Sequence, residues 1–111
     1  MRLDEVVPHL ARRPGMFGVD GAYATHVAFL HGFAAGGGGE SMGRYRAFLV
    51  ARLGTGGNLG WDGLVLRLAF PGDPARWDPR AARGEDEERA AVRTLLGTLE
   101  DFLREDAAGG R

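Results

Sequence analysis

The chain has 111 residues, of which 44% are hydrophobic and 26% charged, a length and balance typical of one globular domain and not of a disordered chain. It has no cysteine, which excludes a disulfide framework and thiolate metal sites. The formal net charge of −1 excludes a strong overall attraction to nucleic acid.

The first predicted element is an amphipathic helix near the start of the chain. Four apolar residues at positions i, i+3, i+4 and i+7 form one face of such a helix. They are Leu3, Val6, Val7 and Leu10. Pro8 removes one backbone donor inside this helix, and Pro14 followed by Gly15 is expected to end it.

Two more helices are predicted on either side of a run of glycines. A stripe of aromatic and aliphatic residues predicts a helix over 22–35, with Asp20 as its N-cap. The four glycines at 36–39 indicate a flexible surface loop. We expect Ser41 to cap a third helix, which ends at Gly54 and has Tyr45 on its buried side.

The segment 61–70 fits either a helix or a strand. In a helix Trp61 and Val65 share one face, whereas in a strand Leu66 and Phe70 do. We favour the helix, because the sequence offers no second strand to pair with this one and an unpaired strand leaves its backbone polar groups unsatisfied.

The last part of the chain is predicted as a turn-rich connector followed by a helix over 85–104. Asp73-Pro74 and Asp78-Pro79 each favour a one-turn helix, and the final helix carries a wide apolar stripe. The fold class expected from these elements is all-α. We predict a single domain of four or five helices around one core over residues 1–106, with 22–35 and 85–104 central and a frayed tail over 107–111.

No arrangement of polar residues indicates a catalytic or metal site. His26 and His31 are five positions apart, about 140° around a helix, so they cannot hold one metal ion from one helical face. The hydroxyl of Ser41 is better explained as a helix cap than as a nucleophile. We therefore expect no metal, no cofactor and no enzymatic activity.

Charge is divided unevenly along the chain. Residues 1–84 contain ten arginines and seven acidic residues, whereas residues 85–111 contain four arginines and eight acidic residues. An acidic final helix favours binding to a basic protein. We predict Glu87, Glu88, Asp101 and Trp77 as the residues that contact such a partner.

Two alternatives remain open. A small nucleic-acid-binding regulator would use the arginine-rich face of the third helix, formed by Arg44, Arg46 and Arg52. A solvated helix face is the favoured explanation of these arginines, so nucleic acid is the less favoured partner. An enzyme or small-ligand protein would instead have a closed apolar pocket between helices.

Several short motifs follow one another along most of the chain. They are Arg-Pro-Gly-Met-Phe at 13–17, Phe-Leu-His-Gly-Phe at 29–33, Tyr-Arg-Ala-Phe-Leu at 45–49, Trp61 and the acidic terminal helix. This order resembles a loose group of small uncharacterised bacterial proteins with an Arg-Pro-Gly-Met-Tyr start, some of them immunity-like partners of toxins. Phe17 and Phe33 stand where that group has tyrosine. The resemblance implies a shared fold more than a shared function, and no catalytic residue comes with it. Together with the uneven charge and the lack of a catalytic site, it leads us to expect a protein-binding module, in its specific form an immunity protein that neutralises a toxin by occluding its site.

The start of the chain does not look like a secretory signal. Residues 1–13 include Asp4, Glu5 and Pro8 and no apolar run. No part of the sequence approaches the about 20 apolar residues that span a bilayer. We therefore expect a cytoplasmic protein that does not associate with membranes.

Overall fold

Five α-helices form the fold in a computed structural model that describes residues 2–109. They are α1 (Leu3–Arg12), α2 (Tyr23–Phe33), α3 (Gly39–Leu53), α4 (Trp61–Ala69) and α5 (Glu85–Ala108). No strand occurs among the described residues, so the predicted all-α single domain is confirmed. None of the helices formed by residues 2–109 combines the length and apolar character needed to cross a bilayer.

The core surrounds α5, which contacts each of the other four helices. The apolar faces predicted for α1 and α5 point into it. Leu3, Val6, Val7 and Leu10 of α1 are all buried, as are Ala91, Leu95, Leu99 and Phe102 of α5. Tyr45 of α3 is fully buried as expected, and its hydroxyl forms a hydrogen bond of 2.8 Å with Thr98.

The ambiguous segment after residue 60 is a helix. Helix α4 runs from Trp61 to Ala69 and buries Trp61, Leu64, Val65 and Leu66. The strand interpretation was wrong because the apolar residues of this segment are too closely spaced for a half-exposed strand. As a helix, the segment buries them against α3 and α5.

The flexible loop predicted over 36–39 is instead a tight kink between α2 and α3, and Gly39 already belongs to α3. The segment Ala34–Gly38 joins the two helices and contains the non-helical residue Gly37, and we call it the kink segment. Gly37 has φ of 123°, a conformation that favours glycine. A Cβ atom on Gly38 would lie 2.1 Å from the ring of Phe33. Gly37 is therefore needed for its backbone conformation, and Gly38 is needed because a side chain there would overlap the ring of Phe33.

The predicted caps of α2 and α3 also need correction. Ser41 lies inside α3, whose N-cap is Gly38. Asp20 lies two residues before Ala22, the N-cap of α2. Its Oδ1 accepts hydrogen bonds from the Thr25 hydroxyl at 2.6 Å and the Ala22 N–H at 2.8 Å. These bonds, that of Thr25 foremost, lower the pKa of Asp20.

Helix α5 is longer than predicted at its carboxyl end. It continues to Ala108, so the first two residues of the predicted tail, 107 and 108, are helical. The N–H of Gly109 donates to the carbonyl of Glu105 at 2.9 Å. Residues 110 and 111 of the predicted tail lie outside the described part of the chain.

Candidate functional site

The two charged surfaces predicted from the sequence face each other across α3 and α5. Arg44 makes a two-bond contact with Asp106, with Nε–Oδ1 at 3.2 Å and Nη2–Oδ2 at 3.1 Å. Arg52 donates to Asp101 at 3.0 Å, and its Nη2 lies 3.9 Å from Glu105. We call these four contacts the α3–α5 seam. The seam matches the arginines of one helix with the acids of another.

Arg46, the third arginine predicted to bind nucleic acid, contacts the loop after α3 and not α5. The Nε of Arg46 donates to the carbonyl of Leu59 at 2.7 Å, and its Nη2 contacts the carbonyl of Gly57. It therefore holds the loop that follows α3. Each of the three predicted nucleic-acid residues, Arg44, Arg46 and Arg52, already has a partner within the chain, and a phosphate would have to compete with it.

The four residues predicted to bind a protein do not form one surface. Asp101 belongs to the α3–α5 seam and lies about 20 Å along α5 from Glu87, at 1.5 Å per residue. Glu87 and Glu88 lie in the first turn of α5. Trp77 lies in the preceding segment, residues 70–84, which joins α4 to α5 and which we call the connector.

A buried arginine holds the connector from inside. The side chain of Arg83 is only 2% exposed. Its guanidinium donates to the carbonyls of Asp78 at 3.2 Å and Pro79 at 3.1 Å. Its Nε lies 3.8 Å from the Glu88 carboxylate, and its Cζ lies 5.4 Å from the ring centroid of Tyr23. Arg83 thereby fixes the irregular chain to α2 and α5 together.

Glu88 has a structural role at the same point. Its Oε1 accepts a hydrogen bond of 2.7 Å from the N–H of Tyr23, the first residue of α2. The hydroxyl of Tyr23 donates to the carbonyl of Asp62 at 2.6 Å, and burial raises the pKa of this phenol. Glu88 therefore caps α2 from another helix and is not a free surface charge.

Glu87 closes the other side of the connector. It accepts a hydrogen bond of 2.9 Å from the N–H of Gly84 and pairs with Arg76, which also pairs with Asp73. The Gly84 bond and then the Arg76 contact lower the pKa of Glu87. Glu87 is thus part of the scaffold that positions the connector.

Trp77 fixes the middle of the connector. Its Nε1 donates to the carbonyl of Phe70 at 2.9 Å. The guanidinium of Arg67 lies 4.3 Å from the ring centroid, a distance typical of a cation–π contact. The indole is partly exposed, so it supports the connector and also forms part of its outer surface.

The most exposed acidic side chains near the connector belong to residues that were not among the predicted partner-binding residues. The side chains of Glu85 and Asp86 are 89% and 92% exposed, with only Arg89 close to them. Asp78 is 53% exposed. We call the exposed surface formed by Trp77, Asp78, Glu85 and Asp86 the connector face. Residues 73–89 contain six acidic residues and four arginines, so this segment of the chain has an acidic excess.

The three histidines lie apart and have ordinary surroundings. His26 is buried, with Nδ1 2.9 Å from the carbonyl of Ala22. The ring of His31 lies 5.0 Å from that of Trp61, and His9 is exposed. Within residues 2–109, no group of three or more histidine, aspartate and glutamate side chains is arranged to hold a metal ion.

Sequence reasoning missed the residues that build the connector. Arg76 and Arg83 lie in a segment without helical or strand periodicity, so no spacing rule indicates that one is buried and the other half-exposed. The proline signals predicted part of the backbone. A single helical turn follows Asp73 at Pro74–Arg76, whereas the one-turn helix predicted at Asp78-Pro79 was wrong and is only a turn.

Comparisons with protein-family models, with curated proteins and with solved structures found no match to this chain. The function is therefore inferred from the contacts and charges described above.

Proposed function

We propose that this chain is a non-enzymatic protein-binding module whose binding surface is the connector face. The observation that supports this most is the way the connector is held. Irregular segments of more than about 12–15 residues are uncommon in compact domains and are usually either functional or disordered linkers. This one is fixed by Arg83, Trp77 and Arg76 without forming a long helix.

A fixed irregular surface suits recognition of another protein. Loops positioned by a rigid scaffold present side chains and backbone groups in arrangements that helices cannot offer. A loop that is already ordered loses less conformational entropy on binding. The buried contacts of Arg83 thus contribute to affinity, although this side chain itself is too buried to touch a partner.

The charge of the connector face favours a basic partner. Glu85 and Asp86 extend into solvent at the first turn of α5, and complementary charge raises the rate of association more than it raises affinity. Trp77 offers a partly exposed aromatic ring in the connector that leads into α5, and tryptophan is frequent among residues that contribute most to binding. In this proposal Glu85 and Asp86 contact the partner, while Glu87 and Glu88 hold the surface in place.

An immunity protein acting in the cytoplasm is the specific form that we favour. Such a protein covers the active site of a basic toxin and blocks it sterically. The order of the short motifs at 13–17, 29–33 and 45–49 resembles that of a loose group of small bacterial proteins, some of them immunity-like. The proposal needs no catalytic residue in this chain.

A matched pair of variants tests this proposal. The double variant Glu85→Gln, Asp86→Asn removes two charges from the connector face, and Glu40→Gln, Glu100→Gln removes two exposed charges elsewhere. Each protein is used to retain partners from an extract of the native host. We expect one protein to be retained by wild type and by the second variant, and at least tenfold less by the first.

Retention of the same protein by both variants would contradict the proposal, as would the absence of any specifically retained protein. Thermal unfolding of both variants serves as a control, because charges in the first helical turn contribute about 0.3–1 kcal/mol to stability. An immunity role further requires that the retained protein lose its own activity when this chain is added.

A further inference from the structure

The turn that follows α1 is a surface that the proposed function does not use. It covers residues 12–17, which include the Arg-Pro-Gly-Met-Phe motif, and we call it the basic turn. Arg12 and Arg13 are exposed, and their side chains make no ion pair, hydrogen bond or ring contact with any residue in the described part of the chain. No acidic residue occurs between Glu5 and Asp20, so no neighbour in sequence neutralises these two charges.

The two arginines of the basic turn differ from those of the seam and the connector. Arg52 and Arg83, for example, use their guanidinium groups for contacts within the chain. The negative end of the α1 dipole stabilises cations at the position of Arg12 and Arg13. It leaves their guanidinium N–H groups available to an acceptor on another molecule.

Met16 adds apolar surface to the same turn. Its side chain is 58% exposed, and no other large apolar residue within residues 2–109 is exposed. One exposed methionine alone would mean little, but this one shares a turn with two unpaired arginines. Methionine adapts its shape to apolar neighbours and is common on surfaces that bind other proteins. The basic turn therefore combines positive charge with an apolar contact.

The backbone of the basic turn is ordered. The N–H of Met16 donates to the carbonyl of Arg13 at 3.0 Å. The ring centroid of Phe17 lies 4.8 Å from that of Phe29, and Val19, two residues later, is buried. Since the turn is anchored on both sides of Met16, it loses little conformational entropy on binding.

The connector face has the opposite combination of charge and apolar surface. Asp78, Glu85 and Asp86 are exposed acidic residues of this face, and Trp77 is partly exposed. Arg89 is close to both Glu85 and Asp86, but one arginine cannot neutralise two carboxylates. Contacts between a methionine sulfur and an aromatic ring are favourable. The basic turn and the connector face therefore complement each other.

We propose that the basic turn docks on the connector face of a second copy of this chain. The two arginines bind the exposed carboxylates of that face, and Met16 lies against its Trp77. The inference rests on the proposed function, because the second copy and the basic partner compete for the same surface. Self-association then keeps the connector face covered at high protein concentration until the basic partner displaces the second copy.

The size of the two surfaces favours a weak contact between proteins. Each surface offers one large apolar side chain and two or three charges, and interfaces that bury less than about 1,200 Å² are weak and transient. Proteins that bind single-stranded nucleic acid add stacking aromatic rings to a charged groove, whereas the ring of Phe17 packs against Phe29. Anionic membranes are recognised by clusters of about 4–8 basic residues. Two arginines suit the carboxylates of a second copy better.

Sedimentation equilibrium of the full chain, at concentrations up to about 1 mM, tests the proposal. We expect wild type to self-associate with a Kd below about 1 mM, and higher salt should weaken the association because it screens exposed charges. Arg12→Gln, Arg13→Gln removes the charges of the basic turn, and Glu85→Gln, Asp86→Asn removes two charges of the connector face. Each double variant alone should associate at least tenfold more weakly than wild type.

A mixture of these two double variants is the decisive sample. One variant supplies an intact connector face and the other an intact basic turn, so the mixture should associate although neither variant does so alone. Two charge-matched controls, Arg93→Gln, Arg104→Gln and Glu40→Gln, Glu100→Gln, should each self-associate like wild type.

The proposal is overturned if wild type stays monomeric up to about 1 mM, if the mixture does not associate, or if the controls associate as weakly as the other two variants. It is also overturned if anionic vesicles or single-stranded DNA bind at Arg12 and Arg13 of a wild type that does not self-associate. The two proposals can fail separately. Retention of a host protein without self-association refutes this inference alone, and self-association without a retained host protein refutes the proposed function alone.

Discussion

The α3–α5 seam and the connector both depend on arginine, but in opposite ways. In the seam, Arg44 and Arg52 are 39% and 38% exposed and join helices that apolar packing already holds together. In the connector, Arg83 is 2% exposed and joins chain that has almost no regular structure. Arginine therefore contributes little to stability in the α3–α5 seam, whereas in the connector it determines the conformation of the chain.

The comparison teaches that exposure, and not the count of ion pairs, decides which charges matter. Exposed pairs exchange readily with water and counterions and contribute little to stability. Removing one partner from a buried polar cluster leaves the other groups unsatisfied, which costs far more. Three substitutions compare the loss of stability at buried and at exposed charged side chains.

The largest effect is expected for Arg83→Ala. It removes two hydrogen bonds to carbonyl groups and leaves Glu88 without its nearby cation, so we expect a loss of about 3 kcal/mol in the free energy of unfolding. Urea denaturation measures this loss. The neighbouring control Arg80→Ala, at a side chain that is 92% exposed, should stay within about 0.5 kcal/mol of wild type. Equal losses in the two variants would show that Arg83 is not the support of the connector.

A smaller effect is expected in the seam. Arg52→Gln breaks the contact with Asp101 at 3.0 Å in a partly exposed setting. We expect a loss below about 1 kcal/mol, and high salt should reduce the difference from wild type because it screens exposed charges. Urea denaturation at low and high salt measures both. A loss as large as that of Arg83→Ala would mean that the seam, too, depends on its charges.

The smallest effect is a pH dependence that originates in the connector. The pKa of Glu87 is lowered by the Gly84 N–H and by Arg76, so its contribution to stability is fully present above the ordinary glutamate pKa of about 4.3 and is lost as pH falls through the lowered value. Between about pH 5 and pH 3, wild type should lose stability more steeply than Glu87→Gln. Identical slopes in a series of denaturation curves would contradict this.

The regular part of the fold could be predicted because its signal is local. The spacing of Leu3, Val6, Val7 and Leu10 defines the buried face of α1 without reference to the rest of the chain. The kink segment could not be predicted, because glycine runs are typical of loops and the close approach of the Phe33 ring to Gly38 depends on how tightly the chain bends there.

The charged surfaces were predicted as separate features because their pairing is not local. Arg44 and Asp106 are 62 positions apart, and helical periodicity does not show which faces of two helices meet. The sequence therefore indicated an arginine-rich surface and an acidic surface as alternatives, whereas the structure brings them together. Arg83 gave no signal, since an arginine in an irregular segment is usually exposed.

The central claim is that the connector is a fixed surface, and backbone ¹⁵N order parameters test it most directly. Within it, the N–H groups of Asp73, Arg76, Trp77 and Ala81 donate to backbone carbonyls at 3.0–3.2 Å. We predict order parameters near 0.85 at these positions, as in rigid backbone. Values below about 0.6, typical of flexible segments, would contradict the claim and remove the basis for the connector face as a preformed binding surface.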